Sequence, residues 1–343
     1  MREAVESLFD SITARLRRRY GINHLQIVTY PGFCNQNRLF VRGRVLVGKD
    51  IEVSDLDHGK IRNFRNMAKR FLSAEIPHAR LLVEWQGRSQ ELTTDHEGYF
   101  FECLDYDPES LLQPVVRSAE PGLGAEVSAH PKVFEVPSSS KFIAVSDMDD
   151  TVILTMATKA LRMLTLTMFG NAHTRRSFAG VAHFYRGLQA GIEGNEGNPI
   201  FYVSSSPWNL YDFLEEFLEV NGIPLGPMFL RNHGLEHQRF GFADHRSHKI
   251  RAIERLLTVF PEHQVLLVGD TGQKDPEIYR EITEKYSSRV AGVLMRNVSQ
   301  FLPVRVLEVE RIGRSVEKMG VGFRLFDRTA EAEEAARGWG LIR

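Results

Sequence analysis

The sequence predicts two domains: a doubly wound α/β domain with a parallel sheet, preceded by a smaller β-sandwich-like domain. In the second half of the chain, short and nearly continuous apolar runs alternate with helical stretches, as expected when both faces of a parallel sheet are covered. In the first half, shorter runs of alternating polarity are separated by turn residues, which favours an antiparallel sandwich. The 343 residues also exceed the roughly 100–200 residues of one domain.

Composition excludes several classes of protein. With 43% hydrophobic and 25% charged residues, the chain has the balance of an ordinary globular protein. The formal net charge of −1 gives no global reason to bind nucleic acid, so we expect no nucleic-acid partner. Two cysteines cannot build a thiolate metal cluster, and no apolar run reaches the ~18 residues of a membrane span. No signal peptide is recognisable, and we expect a cytoplasmic protein.

Residues 1–23 form the first predicted element, an amphipathic helix. Its apolar side chains recur at helical spacing and its last turn is rich in arginine. Acidic residues among them reduce the positive charge, which favours a docking helix over contact with an anionic membrane surface. The apolar face consists of Val5, Leu8, Phe9, Ile12 and Leu16.

Residues 24–138 are predicted to form the β-rich accessory domain. Its strands are expected at 24–30, 38–47, 79–87 and 98–106, with a helix at 59–76 between them. No pair of carboxylates, histidines or nucleophiles in this region indicates chemistry, so we interpret it as a structural or recruiting module. Residues 137–141, with three serines in a row, are predicted to be a linker.

Residues 139–343 are predicted to form the α/β domain. Strands are expected at 141–146, 198–206, 227–232, 263–270 and 288–297, and helices at 155–169, 178–191, 209–222, 247–261 and 276–287. In such a sheet the ligand lies at the carboxyl ends of the strands.

Unusual polar groups follow three of these strands. Asp147, Asp149 and Asp150 crowd the end of the first strand, where like charges are costly unless a cation neutralises them. A hard divalent cation such as Mg²⁺ is the natural partner for these oxygen ligands. The second strand runs into Ser204-Ser205-Ser206, whose hydroxyl and backbone N–H groups could cradle an anion.

The fourth strand ends in a further acidic pair, Asp270 and Asp275, beside glycines, and Lys249 opens the helix before that strand. Each feature alone is common, because Asp and Ser often cap helices. Together they resemble the four motifs of the haloacid dehalogenase superfamily: D-x-D-x-T, a Ser or Thr, a Lys, and an acidic G-D-x(3 or 4)-D. More narrowly, SDMDDTVILT, YVSSSPWNLY and LLVGDTGQKDPEIY resemble the catalytic domain of the actin-patch-protein type of phosphatidate phosphatase and its bacterial relatives.

The resemblance implies a haloacid-dehalogenase-like fold with a minimal cap and a reaction through an aspartyl phosphate. Asp147 is implied as the nucleophile and Asp149 as the general acid and base. Mg²⁺ would be held by Asp147, Asp270 and the main-chain carbonyl of Asp149, with Asp275 assisting.

The same resemblance implies groups that hold the substrate phosphoryl oxygens. These are Ser204 and Lys249, with Ser205 as the alternative serine. Thr151 is expected to buttress the loop, and Arg175 to line the phosphate entry.

Other polar residues have plainer interpretations. Asp150 suits a helix cap as well as a metal, and His245 and His248 suit surface or capping positions. His173 and Arg176 follow the first helix of this domain together with Arg175 and could line the phosphate entry as well, although loop arginines are mostly solvated. His233 and His237 have the spacing of a zinc pair but no accompanying motif, so we expect no zinc site there.

The predicted function is a Mg²⁺-dependent phosphatase, and the resemblance implies phosphatidate at a membrane surface as the substrate. Two alternatives stay open: a phosphomonoesterase acting on a soluble metabolite, protein or nucleic-acid end, and a non-catalytic lipid-binding module. Retention of the complete set of catalytic residue types argues against the second alternative.

Overall fold

The computed structural model describes residues 25–35, 37–47, 74–107, 113–119, 127–148, 178–231, 245–299 and 302–343. The helices predicted at 1–23 and 155–169 and the pair His233 and His237 lie outside these residues. Across the described parts, no helix combines the length and hydropathy that crossing a bilayer requires. The chain divides into two compact units, one ending at Glu135 and the other beginning at Val136.

The first unit contains two β-sheets. Within the described residues, one sheet has the order β3-β2-β1-β9 with β6 also paired to β2, and the other has the order β5-β4-β7-β8. All pairs are antiparallel except β1 with β9. The strands are β1 (Leu25–Cys34), β2 (Arg38–Val47), β3 (Ala74–Glu75), β4 (Arg80–Trp85), β5 (Arg88–Thr93), β6 (Tyr99–Asp105), β7 (Val115–Ser118), β8 (Ser128–Ala129) and β9 (Val133–Glu135).

Both sheets contribute to one apolar core. Val41 and Leu104 from the first sheet cluster with Leu81, Val83 and Val116 from the second, and all five side chains are buried. Alternate side chains of β4 are buried, and two sheets that share one core in this way have the packing of a sandwich. The β-sandwich-like arrangement expected for this region is therefore observed.

Several strands of this unit were not predicted. The β4–β5 hairpin turns through Gln86 and Gly87, which both have positive φ, and so β5 pairs directly with β4 although its side chains are largely exposed. The helix predicted over 59–76 is wrong at its end, because Ala74–Glu75 pair with β2 as a short strand. Its earlier part lies outside the described residues.

The second unit is an α/β domain with a six-stranded sheet in which every pair is parallel. The α/β class and the parallel sheet predicted from the sequence are confirmed. Its strands are β10 (Phe142–Ser146), β11 (Ile200–Pro207), β12 (Met228–Arg231), β13 (Gln264–Asp270), β14 (Val290–Arg296) and β15 (Phe323–Phe326). Its described helices are α1 (Val181–Ala190), α2 (Tyr211–Val220), α3 (His245–Val259), α4 (Asp275–Tyr286), α5 (Pro303–Lys318) and α6 (Thr329–Gly338).

The strand order of this sheet fixes the position of a ligand site. The order is β12-β11-β10-β13-β14-β15. The strands β11 and β12 are therefore added on one side of β10, and the later strands β13, β14 and β15 on its other side. The crevice beyond the carboxyl ends of β10, β11 and β13 is the topological switch point at which open α/β sheets bind ligands. Every residue of β10 is buried, because the strand lies in the middle of the sheet.

Two sequence predictions for this unit need correction. The sixth strand, β15, was not predicted, because it is only four residues long and mostly partly exposed. Residues 137–141 are not a free linker: Ser139 Oγ donates to the Glu196 carbonyl, and the Lys141 N–H donates to Asn198 Oδ1. Asn198 is fully buried and also accepts a hydrogen bond from the Phe142 N–H, so this segment is joined to the start of β10 and β11.

Candidate active site

Three neighbouring strands of the second unit deliver polar groups to one edge of the sheet. Asp147 follows β10 directly, Asp270 is the last residue of β13, and Ser204 lies in the carboxyl-terminal half of β11. The Asp147 N–H donates to the Val268 carbonyl at 2.8 Å, so the ladder with β13 extends through the aspartate itself. The side chains therefore stand on rigid, buried backbone.

Three carboxylates meet at this edge. Asp147, Asp270 and Asp275 each offer an oxygen within 4.8 Å of the others, and all three residues have no exposed surface. Their charges repel one another across a short distance in a region that excludes water. The cluster predicted from the sequence is thus brought together in space, although Asp270 and Asp275 are more than 120 residues from Asp147.

Lys249 reaches this cluster from α3. Its Nζ atom donates to Asp147 Oδ1 at 2.8 Å and to Asp275 Oδ1 at 2.5 Å, and the residue is only 2% exposed. Burial opposes the charged form of Lys249, but the two carboxylates outweigh it and raise the pKa of its ammonium group. Lys249 is therefore a permanent cation placed against the aspartate that the sequence suggests as the nucleophile.

The single ammonium group of Lys249 does not balance three carboxylates, so the cluster keeps an excess of negative charge. The Asp270 Oδ2 atom is buried and has no hydrogen-bond partner within the described residues. Burial, reinforced by the charge of Asp275, raises the pKa of Asp270 to about 7. A divalent cation of the Mg²⁺ type prefers ligands that are all oxygen atoms. Buried carboxylates, one of which has an oxygen without a hydrogen bond, match that preference.

The loop after β13 is shaped around Asp270. The N–H groups of Gly272 and Gln273 both donate to Asp270 Oδ1, at 2.6 and 3.2 Å. At Gly269 a Cβ atom would come within 2.6 Å of Asp275 Oδ2, so a larger residue would push the second carboxylate out of place. The glycines of the GDTGQKD segment thus allow two acids to occupy one small volume.

Arg305 of α5 supports this loop from outside and was missed by the sequence analysis. Its guanidinium donates to the carbonyls of Thr271, at 3.0 Å, and Gln273, at 2.6 Å, while it pairs with Glu277 at 2.6 Å. One planar guanidinium group thereby binds both the loop and the first turn of α4, where Asp275 lies. An arginine 30 residues beyond the end of the motif carries no local sequence signal for this role.

A second supporting contact lies beneath Asp147. The hydroxyls of Tyr185 and Ser146 are 2.6 Å apart, and Ser146 Oγ donates to the Asp147 carbonyl at 2.7 Å. Burial raises the pKa of Tyr185 to about 12, so its phenol stays protonated and can donate in this chain. The sequence analysis did not single out either residue.

The serines at the end of β11 occupy different environments. Ser204 is fully buried, and its Oγ accepts a hydrogen bond from the Ser206 N–H at 2.9 Å. Ser205 Oγ is buried without a hydrogen-bond partner in the described part of the chain. Both serines predicted from the sequence are therefore at the carboxyl edge, and Ser205 has the hydroxyl with unused hydrogen-bonding capacity.

Several predicted site residues lie outside the described residues: Asp149, Thr151 and Arg175, together with Asp150, His173 and Arg176. His248 is described and is partly buried. Its Nε2 atom lies 3.3 Å from the Phe229 carbonyl oxygen, and burial lowers the pKa of His248 to about 4. His245 begins α3.

Comparison with known proteins relates part of this unit to a known family. Residues 142–297 match the family model described as phosphatidate phosphatase APP1, catalytic domain. This segment is therefore similar to that catalytic domain, and we call it the APP1-type domain. The APP1-type domain thus covers β10 to β14 and contains Asp147, Lys249, Asp270 and Asp275, which confirms the resemblance inferred from the motifs. A phosphatidate phosphatase is a phosphoric monoester hydrolase, so the family is one of enzymes.

Two fungal relatives match the APP1-type domain. Phosphatidate phosphatase APP1 of Saccharomyces cerevisiae is 28% identical over 154 residues, which is 44% of this chain and 25% of the yeast protein. An uncharacterized protein of Schizosaccharomyces pombe is 27% identical over 158 residues, covering 45% of this chain and 25% of its own. The matched region thus spans about a quarter of the length of these curated relatives.

Among solved structures, a carbohydrate acetylesterase from Xanthomonas citri aligns with 78% of this chain and 66% of its own. The sequence identity is 13% and the TM-score is 0.26.

Proposed function

We propose that this protein is a Mg²⁺-dependent phosphatase that hydrolyses phosphatidate to diacylglycerol and phosphate. The observation that carries the proposal is the buried cluster of Asp147, Asp270 and Asp275 bound to Lys249 at the switch point of the sheet. Similarity to the APP1 catalytic domain supports the choice of phosphatidate. We further propose a haloacid-dehalogenase-like fold for the unit and action by a cytoplasmic protein at the membrane surface.

Asp147 is the proposed nucleophile. One oxygen of its carboxylate would attack the phosphorus atom, and the bond between phosphorus and the glycerol oxygen would break, leaving an aspartyl phosphate. Lys249, 2.8 Å from Asp147 Oδ1, keeps the carboxylate ionised before attack and offsets the charge that gathers on the phosphoryl oxygens. The hydrogen bond from Ser146 to the Asp147 carbonyl holds the backbone of the nucleophile in place.

Asp149 is the proposed general acid and base. It would protonate the departing glycerol oxygen, giving diacylglycerol, and would then accept a proton from the water that attacks the aspartyl phosphate. That attack releases inorganic phosphate and restores Asp147. Alternate residues leaving a strand point to the same side, which suits the Asp-x-Asp spacing.

Mg²⁺ fits the donor set because the carboxylates are buried and exceed the available positive charge. Asp147, Asp270 and the main-chain carbonyl of Asp149 would hold it, with Asp275 assisting. When bound, the ion supplies positive charge that stabilises the phosphoryl group in the transition state. Ser204, Ser205, Thr151 and Arg175 are the proposed contacts to the phosphoryl oxygens and their entry route.

The test is a substrate panel on the purified full chain. Phosphate release is measured from phosphatidate in mixed micelles and from soluble sugar, nucleotide and peptide phosphoesters, with Mg²⁺ and with EDTA. The proposal predicts turnover of phosphatidate that EDTA abolishes and Mg²⁺ restores. Fast turnover of a soluble ester without turnover of phosphatidate would refute the lipid substrate, and no turnover of any ester would indicate a non-catalytic lipid-binding module.

A further inference from the structure

The start of α5 and the residue before it carry an exposed apolar cluster. In the described part of the chain, five large hydrophobic residues are exposed, and three of them fall within six residues of one another. Leu302 is 61% exposed, Val304 81% and Leu307 54%. Single exposed apolar side chains are common, but a cluster of this kind on an otherwise polar surface marks a contact site. We call these three residues the α5 patch.

Core packing does not account for the α5 patch. The inward face of α5 is made by Val309, Ile312 and Val316, which are buried. Val304 and Leu307 are three residues apart, so they share a different side of the helix. The helix therefore buries one apolar face in its own domain and presents a second to the surroundings.

The α5 patch lies at the edge of the sheet that carries the candidate active site. Arg305, in the same turn, donates to the carbonyls of Thr271 and Gln273 in the loop that follows Asp270. A second connection between the α5 patch and this loop uses two hydrogen bonds. The Leu302 N–H donates to the Ser299 carbonyl, and the Ser299 N–H donates to Thr271 Oγ1.

The charges around the α5 patch are balanced and do not repel an anionic lipid surface. Arg305 pairs with Glu277 and with Glu308. Lys274, which is exposed in the loop before α4, acts electrostatically on Glu277 and offsets the remaining negative charge. Binding to the interface of a bilayer would therefore come from the apolar area of the α5 patch that leaves water.

We propose that the α5 patch inserts into the surface of a phosphatidate-containing bilayer and positions the carboxyl edge of the sheet against the lipid headgroups. This inference rests on the proposed function, and it names the membrane as the partner of the site. The substrate phosphate must leave the headgroup layer to reach Asp147, which is fully buried. An apolar contact beside the active-site loop keeps that distance short.

The experiment compares the full chain with a variant carrying Leu302→Ser, Val304→Ser and Leu307→Ser. The control variant carries Ile192→Ser and Val220→Ser, which remove the two other exposed apolar side chains. Ile192 lies just after α1, and Val220 is the last residue of α2. Each precedes a strand of the parallel sheet, β11 or β12, so both lie at the amino ends of the strands, opposite the candidate active site.

Two properties are measured. The first is co-sedimentation with phosphatidylcholine vesicles, with and without phosphatidate. The second is phosphate release, either from phosphatidate in those vesicles or from a short-chain phosphatidate dispersed as monomers. We expect the α5-patch variant to lose at least ~10-fold in vesicle binding and in vesicle turnover, because three apolar side chains no longer leave water. Its turnover of the monomeric substrate should stay within about twofold of wild type. The control variant should match wild type throughout.

Unchanged vesicle binding in the α5-patch variant, or an equal loss in the control, would overturn the inference. So would a dimer in the wild-type chain that the substitutions abolish without affecting vesicle binding. If the triple variant loses its native circular dichroism, Val304→Ser alone gives the same comparison at the most exposed position. Patch-dependent vesicle binding without turnover of any phosphoester would refute the proposed function and leave the membrane contact standing.

Discussion

Replacing Lys249 by methionine tests the electrostatic arrangement of the site. The substitution keeps a long apolar side chain and removes the ammonium group that pairs with Asp147 at 2.8 Å and with Asp275 at 2.5 Å. All three side chains are at most 3% exposed, so water cannot replace the lost cation. Removing one partner of a buried ion pair typically costs about 3–5 kcal/mol, because the opposite charge stays buried and uncompensated.

The matched control is Lys285→Met. Lys285 pairs with Glu254 at a similar distance, but its side chain is 60% exposed. Exposed pairs contribute little to stability, because water screens them. The two variants therefore lose the same group in opposite environments, and the difference between them measures the effect of burial.

The assay is urea denaturation in EDTA, followed by far-UV circular dichroism and tryptophan fluorescence. We expect Lys249→Met to lower the free energy of unfolding by about 3–5 kcal/mol. In a domain of this size that corresponds to a fall in Tm of about 6–20 °C. Adding Mg²⁺ should stabilise Lys249→Met more than wild type, because the acidic cluster then lacks the ammonium group that pairs with two of its carboxylates.

Turnover should fall about 10²–10³-fold in Lys249→Met, the usual cost of losing one group that stabilises transition-state charge. Lys285→Met should retain wild-type activity. The reasoning is refuted if Lys249→Met is no less stable than Lys285→Met, or if its turnover stays within tenfold of wild type.

Three further substitutions test separate parts of the account. Asp270→Asn should raise the Mg²⁺ concentration for half-maximal activity at least ~10-fold, since a neutral amide is a poorer ligand; an unchanged metal titration would contradict this. Arg305→Leu should lower kcat/KM about 10–100-fold, because it releases the loop that follows Asp270. Arg314→Leu on the same helix is the control and should leave kcat/KM unchanged. An equal loss of kcat/KM in the two variants would argue against a positioning role for Arg305. Asn198→Ala should cost about 3 kcal/mol of unfolding free energy in a thermal or urea melt, because two backbone N–H groups lose their acceptor; a loss below ~1 kcal/mol would show that water replaces it.

The sequence predicted the parts of this protein that depend on local pattern. Five of the six strands of the parallel sheet were predicted, because each is an apolar run followed by turn or polar residues. Asp147 and Asp270 were recognised because acids directly after buried strands are costly without a function. Both observations need only a short window of sequence.

Features that depend on tertiary contacts could not be predicted in this way. Arg305 acts on a loop more than 30 residues earlier in the chain, and only the packing of α5 brings it there. Lys249 was assigned to the phosphoryl oxygens, whereas its ion pairs with two carboxylates depend on the position of α3. The predicted linker at 137–141 was wrong because serine-rich composition does not reveal that Asn198 holds its backbone.

Short strands were missed for a related reason. β5 has mostly exposed polar side chains, and its place in the sheet is determined by the turn at Gln86 and Gly87. β15 contributes four residues at the edge of the parallel sheet, too few for a periodic signal. In both cases the pairing partner, and not the strand itself, determines the structure.

The central claim is that phosphatidate is hydrolysed through a covalent bond to Asp147. The most direct test mixes the full-length wild-type chain with phosphatidate carrying a radiolabelled phosphate, quenches in acid within the first turnover and maps the labelled peptide. Asp149 is left in place because it is the proposed general acid for formation of the intermediate as well as the base for its hydrolysis. We predict label on the peptide that contains Asp147 and none in the Asp147→Asn variant. Turnover of phosphatidate with no label on that peptide at any quench time would contradict the covalent mechanism.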